Sequence, residues 1–348
     1  MIDMHRLSEQ TSSANPKVSV AMITYNHERF IAQAIESVLM QETDFPVELI
    51  IGEDCSTDST RRIVEEYARK YPNVIRAIIH ERNVGMSNNA VAAESACRGQ
   101  YEACLEGDDY WIHPRKLQKQ AQLMDANPHY SMCGTATKII ARAADGTEKD
   151  AGLIRPISLK PNYDLRDFLQ GYPMHTSSVL IRRGMVAFPQ WMTEVINRDT
   201  CVFALHAEKG PAGFLDEVMS CYRLHCGGIW TGKSILTRNR CQRVTYDALD
   251  TYFNGRYHRL LRQLECRSSM AASRALAERE TPLDARKIYW EAVPRMLFLM
   301  PFTMSAWGLA VYGGYRCKIT WDNLTTFLAI RTRLRHMMQR FPTHADHK

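Results

Sequence analysis

The chain has 348 residues, 45% hydrophobic and 24% charged, with a formal net charge of +6. This balance suits a folded protein with a sizeable core and excludes a disordered or collagen-like chain. Basic residues are scattered except toward the C-terminus, so no nucleic-acid partner is expected. The ten cysteines include no C-x-x-C pair, which argues for reduced thiols in a cytosolic setting and against a zinc site. Residues 1–16, "MIDMHRLSEQTSSANP", lack the apolar core of a signal peptide and read as a flexible lead-in, so a cytoplasmic location is expected.

From Val18 onward, short apolar runs alternate with longer amphipathic stretches. "VSVAMIT" reads as a strand and "ERFIAQAIESVLMQ" as a helix with Phe30, Ile31, Ala34, Ile35, Val38 and Leu39 on one face. "VELIIGED" reads as a strand, "DSTRRIVEEYARKY" as a helix opened by the run Ser56 to Thr60, and "VIRAIIH" as a third strand. "NNAVAAESACR" is a third helix and "YEACLE" a fourth strand; Pro114 then opens a helix over "PRKLQKQAQLMDAN". This βαβα alternation implies right-handed crossovers and an open, doubly wound, mostly parallel α/β sheet of Rossmann-like type. Further on, "ARAADGTEKDAG" reads as a turn-rich surface loop, and "HTSSVLIRRG" as a strand with a polar head. "NRDTCVFALHAEK" reads as an amphipathic helix with Asp199 in its first turn, and "FLDEVMSCYRLH" as a strand leading into a flexible "CGGIWTGK". The chain from about 235 to 348 reads as mainly helical.

In open α/β sheets ligands bind beyond the carboxyl ends of the strands. Three strand ends carry polar residues: Thr24, Tyr25 and Asn26; Glu53 and Asp54; Glu106, Asp108 and Asp109. These should converge. No G-x-G-x-x-G follows the first strand and no P-loop sequence occurs, so the usual glycine-rich phosphate cradles are missing. A divalent cation held by Asp108 or Asp109 would take their place, because hard oxygen ligands suit magnesium or manganese.

Several segments, in order, resemble the inverting family 2 glycosyltransferases of GT-A fold: "VSVAMITYNHERFIAQAIESVL", "IIGEDCSTDST", "ERNVGMSNN", "YEACLEGDDYWIHPRKL", "NRDTCVFALHAEKG" and "YRLHCGGIW". The resemblance covers roughly residues 17–232, about two thirds of the chain, and implies a glycosyltransferase domain there, followed by a helical extension over 233–348. It implies that Tyr25 packs on a nucleotide base and Asp54 accepts a hydrogen bond from it, with Thr24, Asn26, Glu53 and Asn83 beside them. It further implies that Asp108 and Asp109 hold the ribose and a Mn2+ or Mg2+ ion, that Asp199 is the catalytic base, and that His225 and Arg223 lie near the diphosphate, His225 as a metal ligand. Where the family's D-x-D begins with Asp, this chain has Glu106. His175, Thr176 and Trp230 are candidate acceptor contacts, and Gly227 and Gly228 would let the loop bearing Trp230 close over the donor.

Plainer readings exist for each residue: a solvated acidic loop at 106–109, helix capping by Asp54, a macrodipole-favoured Asp199, a half-buried Tyr25, and ordinary strand polar groups at His225 and 175–178. The resemblance implies a nucleotide-sugar donor, most simply a UDP-sugar, and a glycan or lipid-linked acceptor. A sugar nucleotidyltransferase would want a glycine-rich basic loop where "TYNHERF" stands; a non-catalytic nucleotide-sugar-binding scaffold at the membrane is the rival from another class. Residues 296–315, "MLFLMPFTMSAWGLAVYGGY", are uncharged and flanked by Arg295 and Arg316. They leave open a membrane span, a membrane-surface helix that would make the protein peripheral on the inner face of the plasma membrane, and a buried or oligomer-forming helix.

Overall fold

The structure is a computed structural model; it describes residues 15–142, 146–171, 173–225, 227–228, 230, 232–278 and 288. Strands β1 (Val18–Thr24) and β2 (Val47–Glu53) send alternate side chains into two apolar layers. Val18, Val20, Met22, Leu49 and Ile51 enter one, and Ala21 and Ile50 the other. Strands covered on both faces suit parallel pairing, and β1 pairs parallel with β2 from Val18 opposite Val47 to Thr24 opposite Glu53. Helix α1 (Ile31–Leu39) buries Ile31, Ala34, Ile35 and Val38 in the first layer, joined by Val64 of α2 (Thr60–Lys70). β3 (Ile75–Ile79) extends the sheet beyond β2, and α3 (Met86–Ala96) covers the opposite layer through Ala93. β4 (Tyr101–Glu106) then pairs parallel with β1 on its free side, and after the two-residue β5 (Tyr110–Trp111), α4 (Lys116–Ala126) returns to the first layer through Leu117, Ala121 and Met124. The chain therefore leaves β1 in both directions, and the crevice between the ends of β1 and β4 is the topological switch point.

The second half adds β6 (Met132–Arg142), β7 (Glu148–Ile154), β8 (Leu180–Arg182) and β9 (Ala212–Leu224), giving the order β3-β2-β1-β4-β8-β6-β9-β5, with β7 on β6. β8 is antiparallel to both β4 and β6, β9 is parallel to β6, and β5 is antiparallel to β9. A second core joins α5 (Leu165–Gln170) and α6 (Arg198–Lys209) to α7 (Ile235–Tyr252) and α8 (His258–Glu278) through Phe168, Leu205, Leu249, Phe253 and Leu261. The first two helices of the C-terminal region thus share a core with the sheet-bearing part.

Two local expectations are corrected. Within 141–152 the described residues are mostly strand: 141–142 end β6 and 148–152 belong to β7, which pairs antiparallel with β6 and is tied to it by Lys138–Asp150 at 3.2 Å and Arg142–Glu148 at 3.6 Å. β7 is exposed along almost its whole length, so it carries no apolar alternation to mark it in the sequence. At 175–184 only Leu180–Arg182 is strand; Thr176–Ser178 is a 3-10 turn opened by His175, whose ring accepts from the Ser177 amide. The eight cysteines among the described residues are free thiols. No helix among the described residues is long and apolar enough to cross a membrane, and 296–315 lies outside them.

Candidate active site

The ends of β1, β2 and β4 meet as expected, and β9 brings a fourth element to them. The β4 strand ends at Glu106, and Gly107 donates its amide back to the Ile23 carbonyl of β1 at 2.9 Å. A side chain at Gly107 would place its Cβ 2.7 Å from Thr24 Oγ1 and 3.0 Å from His27 Nδ1, so only glycine lets the acidic loop lie this close to the β1 end. Asp108 sits at the centre. His225, just past β9, has Nε2 3.0 Å from Asp108 Oδ2, and His27 Nε2 is 3.7 Å from the same oxygen. Asp109 turns the other way: its Oδ1 accepts the Arg223 amide at 3.0 Å, and its Oδ2 is buried without a hydrogen-bond partner, 3.7 Å from His175 Nδ1.

The electrostatics answer how three carboxylates tolerate one another. Burial, followed by the charges of Asp108 and Asp199, pushes Glu106 up to about 8. Burial, with Asp108 and Glu106 adding to it, raises Asp109 well above the carboxylate range, against the Arg223 amide and guanidinium. For Asp108 burial also opposes ionisation, but the His225 hydrogen bond and the His27 and His225 charges outweigh it and hold its pKa below the ordinary value. Asp108 is thus the carboxylate whose charged form is favoured, while that of each neighbour is disfavoured. Asp199, in the first turn of α6, is near enough for its charge to add to that rise in Glu106. Asp199 Oδ1 accepts the Thr200 amide at 2.7 Å.

A second group of polar residues lies at the β1 and β2 ends. Tyr25, just past the carboxyl end of β1, is 42% exposed. Asn26, in the left-handed region at φ 56°, accepts the Thr57 amide on Oδ1 at 2.8 Å and donates its own amide to Ser56 Oγ. Glu53 Oε1 takes the Ser56 amide at 2.8 Å, while its Oε2 is buried without a partner. Asp54 accepts the Val84 amide at 2.7 Å and the Gly85 amide at 3.0 Å, and Asn83 donates to the Asp54 carbonyl at 3.2 Å. Its carboxylate therefore caps the start of α3, across the sheet, rather than the helix that follows it in sequence.

Two expected contacts, Arg223 and His175, are buried. Arg223 is buried, donating from Nη1 to the Asp108 carbonyl at 2.7 Å and from Nη2 to Gln33, with its guanidinium 4.1 Å from the Tyr110 ring centre. It braces the acidic loop from beneath. His175 is buried under Asp109, its ring 4.3 Å from that of Tyr222, and burial lowers its pKa to about 4. Trp230 has the Arg238 guanidinium 5.7 Å from its ring centre, on the α7 side. Thr176, half-buried, begins the 3-10 turn. His27 and Gln33 were not singled out in the sequence, and Phe30 was read only as part of the apolar helix face; its ring packs 4.8 Å from that of His225. The signal for His27 was its place three residues after Thr24 at a strand end.

Among the described residues no three His, Cys, Asp or Glu side chains form a ready cage for a metal. The donors present are Asp108 with His225, the ionised carboxylate and an imidazole, with Asp109 directed elsewhere. A hard ion that keeps waters and substrate oxygens needs few protein ligands, and this pair fits one.

Sheet order, switch-point crevice and acidic loop together define a GT-A fold, and residues 19–187 match the family model of Glycosyl transferase family 2. The chain belongs to this family. It is 31% identical over 223 residues to the putative teichuronic acid biosynthesis glycosyltransferase TuaG of Bacillus subtilis, covering 63% of this chain and 83% of that one. An uncharacterised protein of Mycobacterium tuberculosis is 37% identical over 213 residues, 61% of this chain; the match spans 60% of that relative's length. Among solved structures, S. aureus TarS 1–349 in complex with UDP-GlcNAc superposes with a TM-score of 0.60 at 19% identity, covering 82% of each chain, a likeness of fold.

Proposed function

We propose that the chain is an inverting, metal-dependent glycosyltransferase. It moves a sugar from a nucleotide-sugar, most simply a UDP-sugar, to a hydroxyl of a glycan or lipid-linked saccharide in surface-polysaccharide synthesis. The observation that carries this reading is the ionised Asp108 at the switch point, flanked by His225 and His27, with Asp199 near enough for its charge to reach Glu106 of the same cluster. The likeness to TuaG, whose name specifies teichuronic acid synthesis, and to TarS, solved with UDP-GlcNAc, supports the substrate class.

In this reading the exposed Tyr25 ring stacks on the base, and the loop pinned by Asp54 and Asn83 walls the pocket. Glu106 faces the ribose. Asp108 and His225 hold the divalent ion, Mn2+ or Mg2+, which when bound supplies positive charge where the leaving diphosphate gains negative charge. Asp109 and Arg223 keep the acidic loop in place. The acceptor oxygen attacks the anomeric carbon opposite the diphosphate, the carbon–oxygen bond to phosphate breaks, and the acceptor proton passes to Asp199. One displacement of this kind inverts the anomeric configuration and needs no covalent enzyme intermediate.

The test is a panel of nucleotide-sugars scored by thermal shift with and without manganese, followed by assay of nucleoside-diphosphate release with saccharide acceptors. A donor whose shift depends on metal, and whose diphosphate is released on adding acceptor, is expected. No shift from any donor, or full turnover in excess EDTA, would sink the reading. Donor binding with neither transfer nor hydrolysis would leave a binding scaffold.

A further inference from the structure

The helix that carries Asp199 starts without a capping side chain: Asn197 makes no hydrogen bond to the amides of α6, and its Oδ1 is buried without a partner. Arg198 takes over the anchoring. The residue is 8% exposed, and its guanidinium donates from Nη1 to Glu94 Oε1 at 2.7 Å and from Nη2 to Glu94 Oε2, and lies 5.3 Å from the Phe188 ring centre. A bidentate fork of this kind fixes orientation as well as distance. Glu94 belongs to α3, which is itself held against the sheet. Asn89 donates to the Gly52 carbonyl at 2.9 Å, and Asp54 takes the amides of Val84 and Gly85 at the helix start. Behind the pair, Arg183 Nε lies 3.3 Å from Glu102 Oε2. Glu102 and Glu106 share one face of β4, so this buried charge set runs along the strand to the acidic loop.

We propose that Glu94 is a positioning residue: by gripping Arg198 it sets the first turn of α6 so that Asp199 faces the acidic loop. The inference rests on the reading of Asp199 as the general base. α3 is then a strut, fixed near one end to the nucleotide pocket and near the other to the helix bearing the base.

A kinetic double-mutant cycle tests it in the full chain. Glu94→Gln should lower kcat by roughly ten- to a hundredfold, the scale of a small misplacement of a reacting group, while the donor KM and dissociation constant stay near wild type. Asp199→Asn should lower kcat by roughly 100- to 10,000-fold. Adding Glu94→Gln to it should cost little more, because both changes act through one carboxylate. If Glu94→Gln does not fold, Glu94→Gln with Arg198→Gln leaves no unpaired buried charge and takes its place in the cycle. Effects that multiply, or a Glu94 variant with lowered melting temperature but wild-type kcat, would overturn the positioning role while leaving Asp199 as the base. Wild-type turnover in Asp199→Asn would remove the base, and the positioning role with it.

Discussion

Gly107→Ala tests the geometry of the acidic loop without touching a charged group. The added Cβ would sit 2.7 Å from Thr24 Oγ1 and 2.8 Å from Thr24 Cβ. Carbon atoms in contact prefer roughly 3.5–4.0 Å, so about 1 Å must be found. Thr24 cannot yield it, because it is buried, paired opposite Glu53, and its Cβ is fixed by the strand backbone. The loop must move instead, carrying Glu106 and Asp108 away from His27 and His225. Overpacking on this scale costs roughly 1–3 kcal/mol of stability, and a displacement of about 1 Å at reacting groups costs on the order of 100-fold in rate. Urea denaturation gives the first quantity, and initial rates at saturating donor give the second. Adding Thr24→Ala to Gly107→Ala should recover only part of either loss, since it removes the Oγ1 contact and leaves the Cβ. A Gly107→Ala enzyme that unfolds and turns over like wild type would refute the close approach of the two strand ends.

Asp54→Ala should cost roughly 1.5–3 kcal/mol of stability, the worth of hydrogen bonds to a charged acceptor, and also weaken donor binding; loss of affinity with unchanged stability would contradict its capping of α3. Asp108→Asn and His225→Ala should each abolish the manganese-dependent thermal shift. Asp109→Asn should keep that shift, because its carboxylate faces the Arg223 amide, and its loss would return Asp109 to the metal ligands. Lys116 is fully buried with its ammonium 2.8 Å from Gln120 Oε1 and 4.2 Å from the Trp111 ring centre, and burial lowers its pKa from 10.5 to about 7. Below pH 7 both folded and unfolded chains carry the proton and the penalty on the folded state is complete. Between 7 and 10.5 only the unfolded chain does, so this group makes stability rise with pH across that window. At about 1.36 kcal/mol per pKa unit the rise is on the order of 5 kcal/mol, and Lys116→Met should remove it; parallel stability profiles for the two proteins from pH 6 to 10 would contradict the burial.

The legible part of the fold was the part whose side chains are sorted by apolar layer. In β1 and β2 the doubly covered strand leaves a mainly apolar run, broken inside it only at Ser19 and Glu48, and in α1 the stripe Ile31, Ala34, Ile35 and Val38 repeats at helical spacing, so both could be read directly. β7 faces solvent on almost every residue, and its place is fixed by backbone pairing to β6 and by ion pairs, neither of which leaves a periodic signal. Reading 141–152 as a loop followed from that. The same distinction separates site residues. Thr24, Asp54, Glu106 and Asp108 could be found because strand ends converge by topology alone. That His27 would lie against Asp108, that Arg223 would sit beneath the loop, and that His175 would face Asp109 from inside all depend on side-chain directions across elements far apart in sequence.

The crowding of carboxylates at 106–109 also explains a division of labour that spacing alone leaves hidden. If all three were ionised in this buried loop they would repel one another, and the fold settles the conflict by treating each differently. Asp108 receives the two imidazoles and keeps its charge; Asp109 is turned to a backbone amide, and its pKa is raised well above the carboxylate range; Glu106, between Asp108 and Asp199, is pushed up to about 8. Such a loop is poised to exchange protons for a cation, since bound positive charge would lower both raised pKa values at once. Proton release on binding manganese should therefore be measurable in weakly buffered solution. It should be larger near pH 7, where Glu106 still holds its proton, than near pH 9, where Glu106, at about 8, has already lost it. Release that does not change between these two pH values would mean that the cation binds without sensing Glu106, and would place the ion outside the cluster built around Asp108.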